Sequence, residues 1–202
     1  MLEAYSLQVD ENLQSKFDAL TDAEISTDTF SFYTSVSVIS SSKIEGEPME
    51  VDSYIKYKML NINYQPNLVE KPNDLYKSYL FAQEHNLTQA NFLKSHRLLA
   101  KHLLPIIAQG IYRKNNMLVM EHKTFRIQFE AAPPSEVKTL CNLLWKDIKY
   151  LIKQDLNTHE IFYFASFIHI VFVNIHPFED GNGRIGRAIS EKILSTDRQN
   201  SS

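Results

Sequence analysis

His176-Pro177-Phe178-Glu179-Asp180-Gly181-Asn182-Gly183-Arg184-Ile185-Gly186-Arg187 is the stretch on which the reading of this chain turns. It follows a long apolar run that ends near Asn174 and precedes a helical pattern from about Arg184 to Leu194, so it joins two helices. A helix N-terminus offers unpaired N–H groups and the positive end of a dipole, which makes it an anion site. Gly181 and Gly183 would let the backbone approach an anion closely and take left-handed conformations. Arg184 and Arg187, three apart in the first turn, share a helix face and suit phosphate oxygens. Asp180 is a hard oxygen ligand of the kind Mg²⁺ accepts alongside phosphates. His176 can take a proton near neutral pH. Taken singly, each of these residues has an ordinary explanation: a core histidine, a solvated arginine pair, a turn, an N-cap. Their concentration in one helix–loop–helix junction points to phosphate chemistry.

Outward from this stretch the chain reads as mainly α. Three of its five glycines lie between Gly181 and Gly186, leaving little glycine to break helices elsewhere. Residues 8 to 24 suggest a weak polar helix. Thr27 or Asp28 would cap a helix running to about Ile44 and stopping at Gly46-Glu47-Pro48. Val51 to Ile62 suggests another helix, and Asn63 to Asn73, with two prolines, a loop. Asp74 to His85 is helical. Thr88 would cap the next helix, with Phe92, Leu93, His96, Leu99, Ala100 and Leu103 on its apolar face. Met117–Met120 and Phe125–Phe129 are strand-like runs around a polar turn, predicting a β-hairpin within about 115–130. A helix from Pro133-Pro134 to about Lys153 follows. Thr158 would then cap a very apolar, buried helix to about Asn174, and residues 196–202 look frayed.

Composition excludes several classes. With 44% hydrophobic and 22% charged residues, the chain can bury a core. A net charge of -3 gives no clear sign of nucleic-acid binding. The single cysteine, Cys141, cannot form an internal disulfide or a multi-cysteine zinc site, and its apolar surroundings favour a small buried hydrophobe. No signal peptide is recognisable, and the apolar stretch Ile161–Val173 is short for a bilayer span, so a cytoplasmic protein without a membrane is expected.

The motif His176–Arg187 resembles the complete signature of the Fic family, H-P-F-x-[D/E]-G-N-G-R-x-x-R. The resemblance implies a Fic-type helical bundle with a small β-hairpin flap and a protein adenylyltransferase activity, with ATP as substrate and Mg²⁺ as cofactor. It implies that His176 is the general base and that Asp180 binds Mg²⁺. Gly181, Asn182 and Gly183 would hold phosphate oxygens, Arg184 the β-phosphate and Arg187 the γ-phosphate, with Phe178 anchoring the loop. Gln109-Gly110-Ile111-Tyr112-Arg113 and the hairpin after it resemble the approach to the family's flap, which clamps a target protein by strand addition.

Ser41-Ser42-Lys43-Ile44-Glu45-Gly46 resembles the family's inhibitory motif, [S/T]-x-x-x-E-[G/N]. The implied organisation is an N-terminal helical region, 1–70, containing an inhibitory helix at about 28–46, and a catalytic core, 71–202. Glu45 would pair with Arg187 and take the place of the γ-phosphate, with Ser41 on the same helix face. Fifteen residues follow Arg187, fewer than the further core helix and winged-helix module that members of this class commonly carry, so no role is borrowed from those parts. Other readings stay open: de-AMPylation, another nucleotide or phosphocholine transfer, or a non-enzymatic module. Glycine at 183 speaks against the kinase branch, which carries lysine there. A homo-oligomer is left open. His169, two turns before His176, reads as a core group, as do Trp145, Phe162, Phe164 and Phe167.

Overall fold

The computed structural model describes residues 1–19, 31–120 and 126–200. Nine helices and one hairpin occur among the described residues. In order they are α1 (Leu2–Ser6), α2 (Leu13–Asp18), α3 (Phe32–Ile44), α4 (Val51–Leu60), α5 (Pro66–Glu84), α6 (Gln89–Leu99), β1 (Leu118–Met120), β2 (Ile127–Glu130), α7 (Pro134–Leu151), α8 (Thr158–Ile175) and α9 (Asn182–Asn200), with one 3₁₀ turn at Ile106–Ala108. The mainly α expectation holds.

α9 is the element around which the others gather. Its most extensive contact is with α8, and α5, α3 and α6 also lie against it. Gly186 lets α8 and α9 come close, because a Cβ there would press on the Phe172 and His169 rings at 3.2–3.3 Å. One apolar cluster joins Val38 and Ile39 of α3 to Leu75 and Tyr76 of α5, Phe172 of α8 and Ile185 and Ile189 of α9. The N-terminal region and the motif-bearing helices thus share a core. α1 and α2 pack on the outer side of α8, with Tyr5 against Tyr163 and Phe17 edge-on to Phe162.

The elements depart from the sequence expectations in physically readable ways. Of the helix expected over 8–24 the described residues form only the short α2, with α1 lying ahead of that span, and residues 20–24 fall outside the described residues. Thr27 and Asp28 lie outside the described residues. The cap of α3 is Ser31, whose hydroxyl accepts from the Thr34 N–H. The loop expected at Asn63–Asn73 is largely helix. Pro66 sits in the first turn of α5, where its missing N–H and fixed φ are no handicap. Pro72 lies inside α5 but is fully buried, so packing outweighs a propensity cost of about 3 kcal/mol. The cap of α8 is Asn157 rather than Thr158, in a capping box with Glu160.

α8 is long and apolar enough to pass for a membrane span by length and composition, contrary to the expectation drawn from the shorter Ile161–Val173 run. Its buried side, Ile161, Ala165, Ile168, Phe172 and Ile175, faces the core, while Phe167 and Ile170 are exposed. Phe167 is therefore not a core residue. The predicted hairpin forms, with Leu118 opposite Glu130 and Val119 opposite Phe129, and a bulge before the Met120–Ile127 pair. Its polar turn falls within 121–125, outside the described residues.

Candidate active site

The α8–α9 junction is locked by neutral contacts before any charge is considered. α8 ends at His176 in the left-handed conformation, with φ 50° and ψ 60°. Gly181 has φ +81°, as expected for a glycine that turns the chain, and a Cβ there would lie 2.7 Å from Leu99. Gly183 corrects an expectation. It is helical, and a Cβ there would press on the Glu45 carboxylate, the movable end of a flexible side chain.

Phe178 is fully buried, as an anchor should be. Its ring stacks on His96 at 3.6 Å and touches Phe92 and Tyr112. Asn182 is also buried, but its side chain does not face an anion. Its Oδ1 accepts from the Phe178 N–H at 2.9 Å and its Nδ2 donates to the Phe178 carbonyl at 2.8 Å. The amide that was expected to bind phosphate instead closes the loop. What residues 182–184 can still offer an anion is the backbone N–H groups of the first turn of α9.

Two residues to which the sequence analysis gave no role at the site support this loop. His96 accepts from the Gly110 N–H at its Nδ1 and donates from Nε2 to the Asp180 carbonyl, both at 2.9 Å. Burial lowers its pKa to about 4, so the neutral ring that makes both bonds persists. Arg113, 3% exposed, donates to the carbonyls of His176, Ile175, Asn115 and Ala132. A guanidinium at the C-terminus of α8 meets the negative end of that helix dipole and ties the hairpin base to His176. The available signals were a histidine on an otherwise apolar helix face and an arginine directly before a hairpin.

His176 turns Nδ1 toward the Val173 carbonyl at 3.3 Å, which leaves the lone pair on Nε2. Burial lowers its pKa, so the ring is neutral and can accept a proton. Phe129 of β2 lies edge-on to it, with the ring centres 6.4 Å apart. The hairpin therefore borders the histidine. Leu118, Met120 and Ile127 are about half exposed along it.

The arginines carry the site's charge. Arg187 donates to the Glu45 carboxylate at 2.5 Å, to the Ser41 hydroxyl at 2.8 Å and to the Ser41 carbonyl at 3.2 Å. The structure thus brings Ser41 and Glu45 onto the motif, as the resemblance to the inhibitory motif implied. Arg184 is almost completely buried, which excludes a solvated-surface role. It lies 3.4 Å from Glu47 and 3.6 Å from Asp180. Glu47, which the sequence reading passed over, also accepts from Lys71 at 2.9 Å. Asp180 is about half exposed, and its Oδ1 accepts from the Gly181 N–H. No group of three or more metal-ligating side chains occurs among the described residues. One solvent-facing carboxylate beside an anion site still fits Mg²⁺, which commonly takes one or two carboxylates and completes its shell with phosphate oxygens and water.

Other candidates resolve as core. Burial pushes the Cys141 thiol up to about 11, far from a nucleophile's range. His169 sits at the α8–α9 crossing, 3.4 Å from the Ser190 hydroxyl. Glu191, one turn beyond Arg187, is partly buried beside Ser37, and that burial raises its carboxyl to about 7.

Comparison with known proteins agrees with this geometry. The family model described as Fic/DOC family matches residues 86–194, more than half of the chain. The chain belongs to the Fic/DOC family. It is 30% identical over 124 residues to "Protein adenylyltransferase Fic" of Drosophila erecta, a match covering 60% of this chain and 23% of that protein. The protein of the same name from Nematostella vectensis is 29% identical over 117 residues, covering 58% of this chain and 25% of that one. The chain thus aligns with about a quarter of the length of these relatives. Among solved structures, a Fic family protein from Desulfovibrio desulfuricans G20 superimposes with a TM-score of 0.69 at 20% identity, covering 84% of this chain and 50% of that one. A Fic domain containing signaling protein from Bacteroides thetaiotaomicron VPI-5482 gives 0.66 at 19% identity, covering 97% and 71%. These two establish the helical fold.

Proposed function

We propose that this chain transfers AMP from ATP to a hydroxyl of a protein and that Glu45 restrains the reaction. The observation that carries the reading is the junction itself. A neutral histidine with an open Nε2, the first turn of α9 and two inward arginines converge on one loop.

In the proposed reaction the target hydroxyl oxygen bonds to the α-phosphorus. Its proton passes to His176 Nε2, the α–β phosphoanhydride bond breaks, and pyrophosphate leaves. Arg184 and Arg187 would hold the β- and γ-phosphates, and the N–H groups opening α9 would hold phosphate oxygens. Asp180 would hold Mg²⁺, which when bound neutralises charge along the phosphate chain. Positioning and charge neutralisation would supply most of the rate, as in other phosphoryl transfers. The target would pair with the hairpin edge, a reading supported by its apolar exposed side chains and by the closeness of Phe129 to His176.

Restraint follows from the Glu45–Arg187 pair. While the carboxylate occupies this guanidinium, a γ-phosphate cannot take the same donors. The test uses α-labelled ATP and Mg²⁺ with Glu45→Gly and Glu45→Gly/His176→Ala. Label on protein with the first variant and none with the second is expected. Equal labelling of both would remove His176 as the base, and none in either would remove AMP transfer.

A further inference from the structure

The segment that places Glu45 on Arg187 places a second carboxylate on the other arginine. α3 ends with the Gly46 N–H bonded to the Lys43 carbonyl and the Glu47 N–H to the Ser42 carbonyl, with Gly46 at φ +85°. This is the Schellman ending, and it fixes the direction of the residue after the glycine. Glu45 and Glu47, on either side of Gly46, thereby reach arginines three residues apart on α9. Glu47 is largely buried, and one of its oxygens serves both Arg184 at 3.4 Å and Lys71 at 2.9 Å.

We infer that Glu47 is a second phosphate mimic, competing with the β-phosphate of a bound nucleotide for Arg184, with Lys71 as its alternative partner. This rests on the nucleotide-binding reading above and deepens it. Each carboxylate stands guard over a different phosphate. Glu45 opposes the γ-phosphate at Arg187, and Glu47 the β-phosphate at Arg184. The longer contact of Glu47 is to Arg184 and the shorter to Lys71. When a phosphate claims Arg184, the Glu47 carboxylate keeps a cation and is not left buried and unpaired, which would be unfavourable. Among the described residues, Arg187 is the one cation within 4 Å of the Glu45 carboxylate. Glu47 is therefore the weaker of the two competitors, and it sets how strongly the site prefers a nucleotide by the length of its phosphate chain.

The test is calorimetric titration of AMP, ADP and ATP, each with Mg²⁺, into the full chain and into Glu47→Gln, Lys71→Met and Glu45→Gly. Glu47→Gln should tighten ADP about fivefold, the scale of one net hydrogen bond, and leave AMP unchanged. Lys71→Met should weaken ADP, because Glu47 then has Arg184 alone. Opposite signs from the two variants separate competition from simple destabilisation, which would move both the same way. Weaker or unchanged ADP binding in Glu47→Gln, with ATP still bound by Glu45→Gly, overturns this inference alone and makes Glu47 a support that positions Arg184. Absence of ADP and ATP binding by every variant overturns the nucleotide reading and this inference with it.

Discussion

The two walls of the site are built differently. The α8–α9 junction is closed by neutral hydrogen bonds and a buried ring: Asn182 on both backbone groups of Phe178, His96 bridging Gly110 and Asp180, and Phe178 stacked on His96. The end of α3 meets the same junction through charges, Glu45 on Arg187 and Glu47 on Arg184. Removing one member of a buried network leaves its partners buried and unsatisfied, which carries a large penalty. A carboxylate held by an arginine can be exchanged for a phosphate oxygen, because both are charged acceptors for the same donors. One wall is fit to be permanent and the other to be displaced.

The contrast predicts that substitutions in the first wall act on stability and those in the second on activity. Phe178→Ala should show the largest stability effect, a loss of about 3–5 kcal/mol in denaturant unfolding. Asn182→Ala should lower stability by about 2 kcal/mol, since it strips partners from two buried backbone groups. If either variant melts like the native chain, the junction is not the rigid wall described.

Glu191 sharpens the comparison through pH. Its carboxyl is raised from 4.5 to about 7 by burial, so the folded chain holds a proton that the unfolded chain has lost. Stability from this group therefore falls as pH rises from 4.5 through 7. Glu191→Gln should raise the unfolding free energy at pH 8, by an amount on the order of 2 kcal/mol, and leave it unchanged at pH 4. An equal gain at both pH values would assign the effect to packing.

Smaller effects belong to the second wall and to the base. His176 has its pKa lowered by burial, so the acid limb of the transfer rate should have its midpoint below the ordinary 6.5. A midpoint at or above 6.5 would remove either the burial effect or His176 from that limb. Glu45→Gly should change stability by about 1 kcal/mol or less, because the pair it breaks is partly solvated.

How much of this could be read from the sequence follows from what is contiguous. The motif compresses the histidine, the glycine turn and both arginines into one junction, and Ser41 and Glu45 carry their spacing on one helix face. Glu47 was missed because its contact depends on the left-handed turn at Gly46, which redirects the residue after it. The inward role of the Asn182 side chain was not legible because an amide in a glycine loop can face either inward or toward a ligand, and only the three-dimensional loop decides. Arg113 and His96 lie 63 and 84 residues from their partners His176 and Asp180, beyond any local pattern. In α5 the prolines argued for a loop, and a buried Pro72 shows tertiary packing overriding that propensity.

The central claim is that Glu45 restrains an otherwise assembled site. Its most direct test is the initial rate of label transfer from α-labelled ATP, Glu45→Gly over the native chain, at saturating Mg²⁺. Release of Arg187 predicts a rate roughly tenfold higher or more, the equivalent of about 1.4 kcal/mol in the barrier. Equal rates from a variant that is folded and labels protein would contradict it.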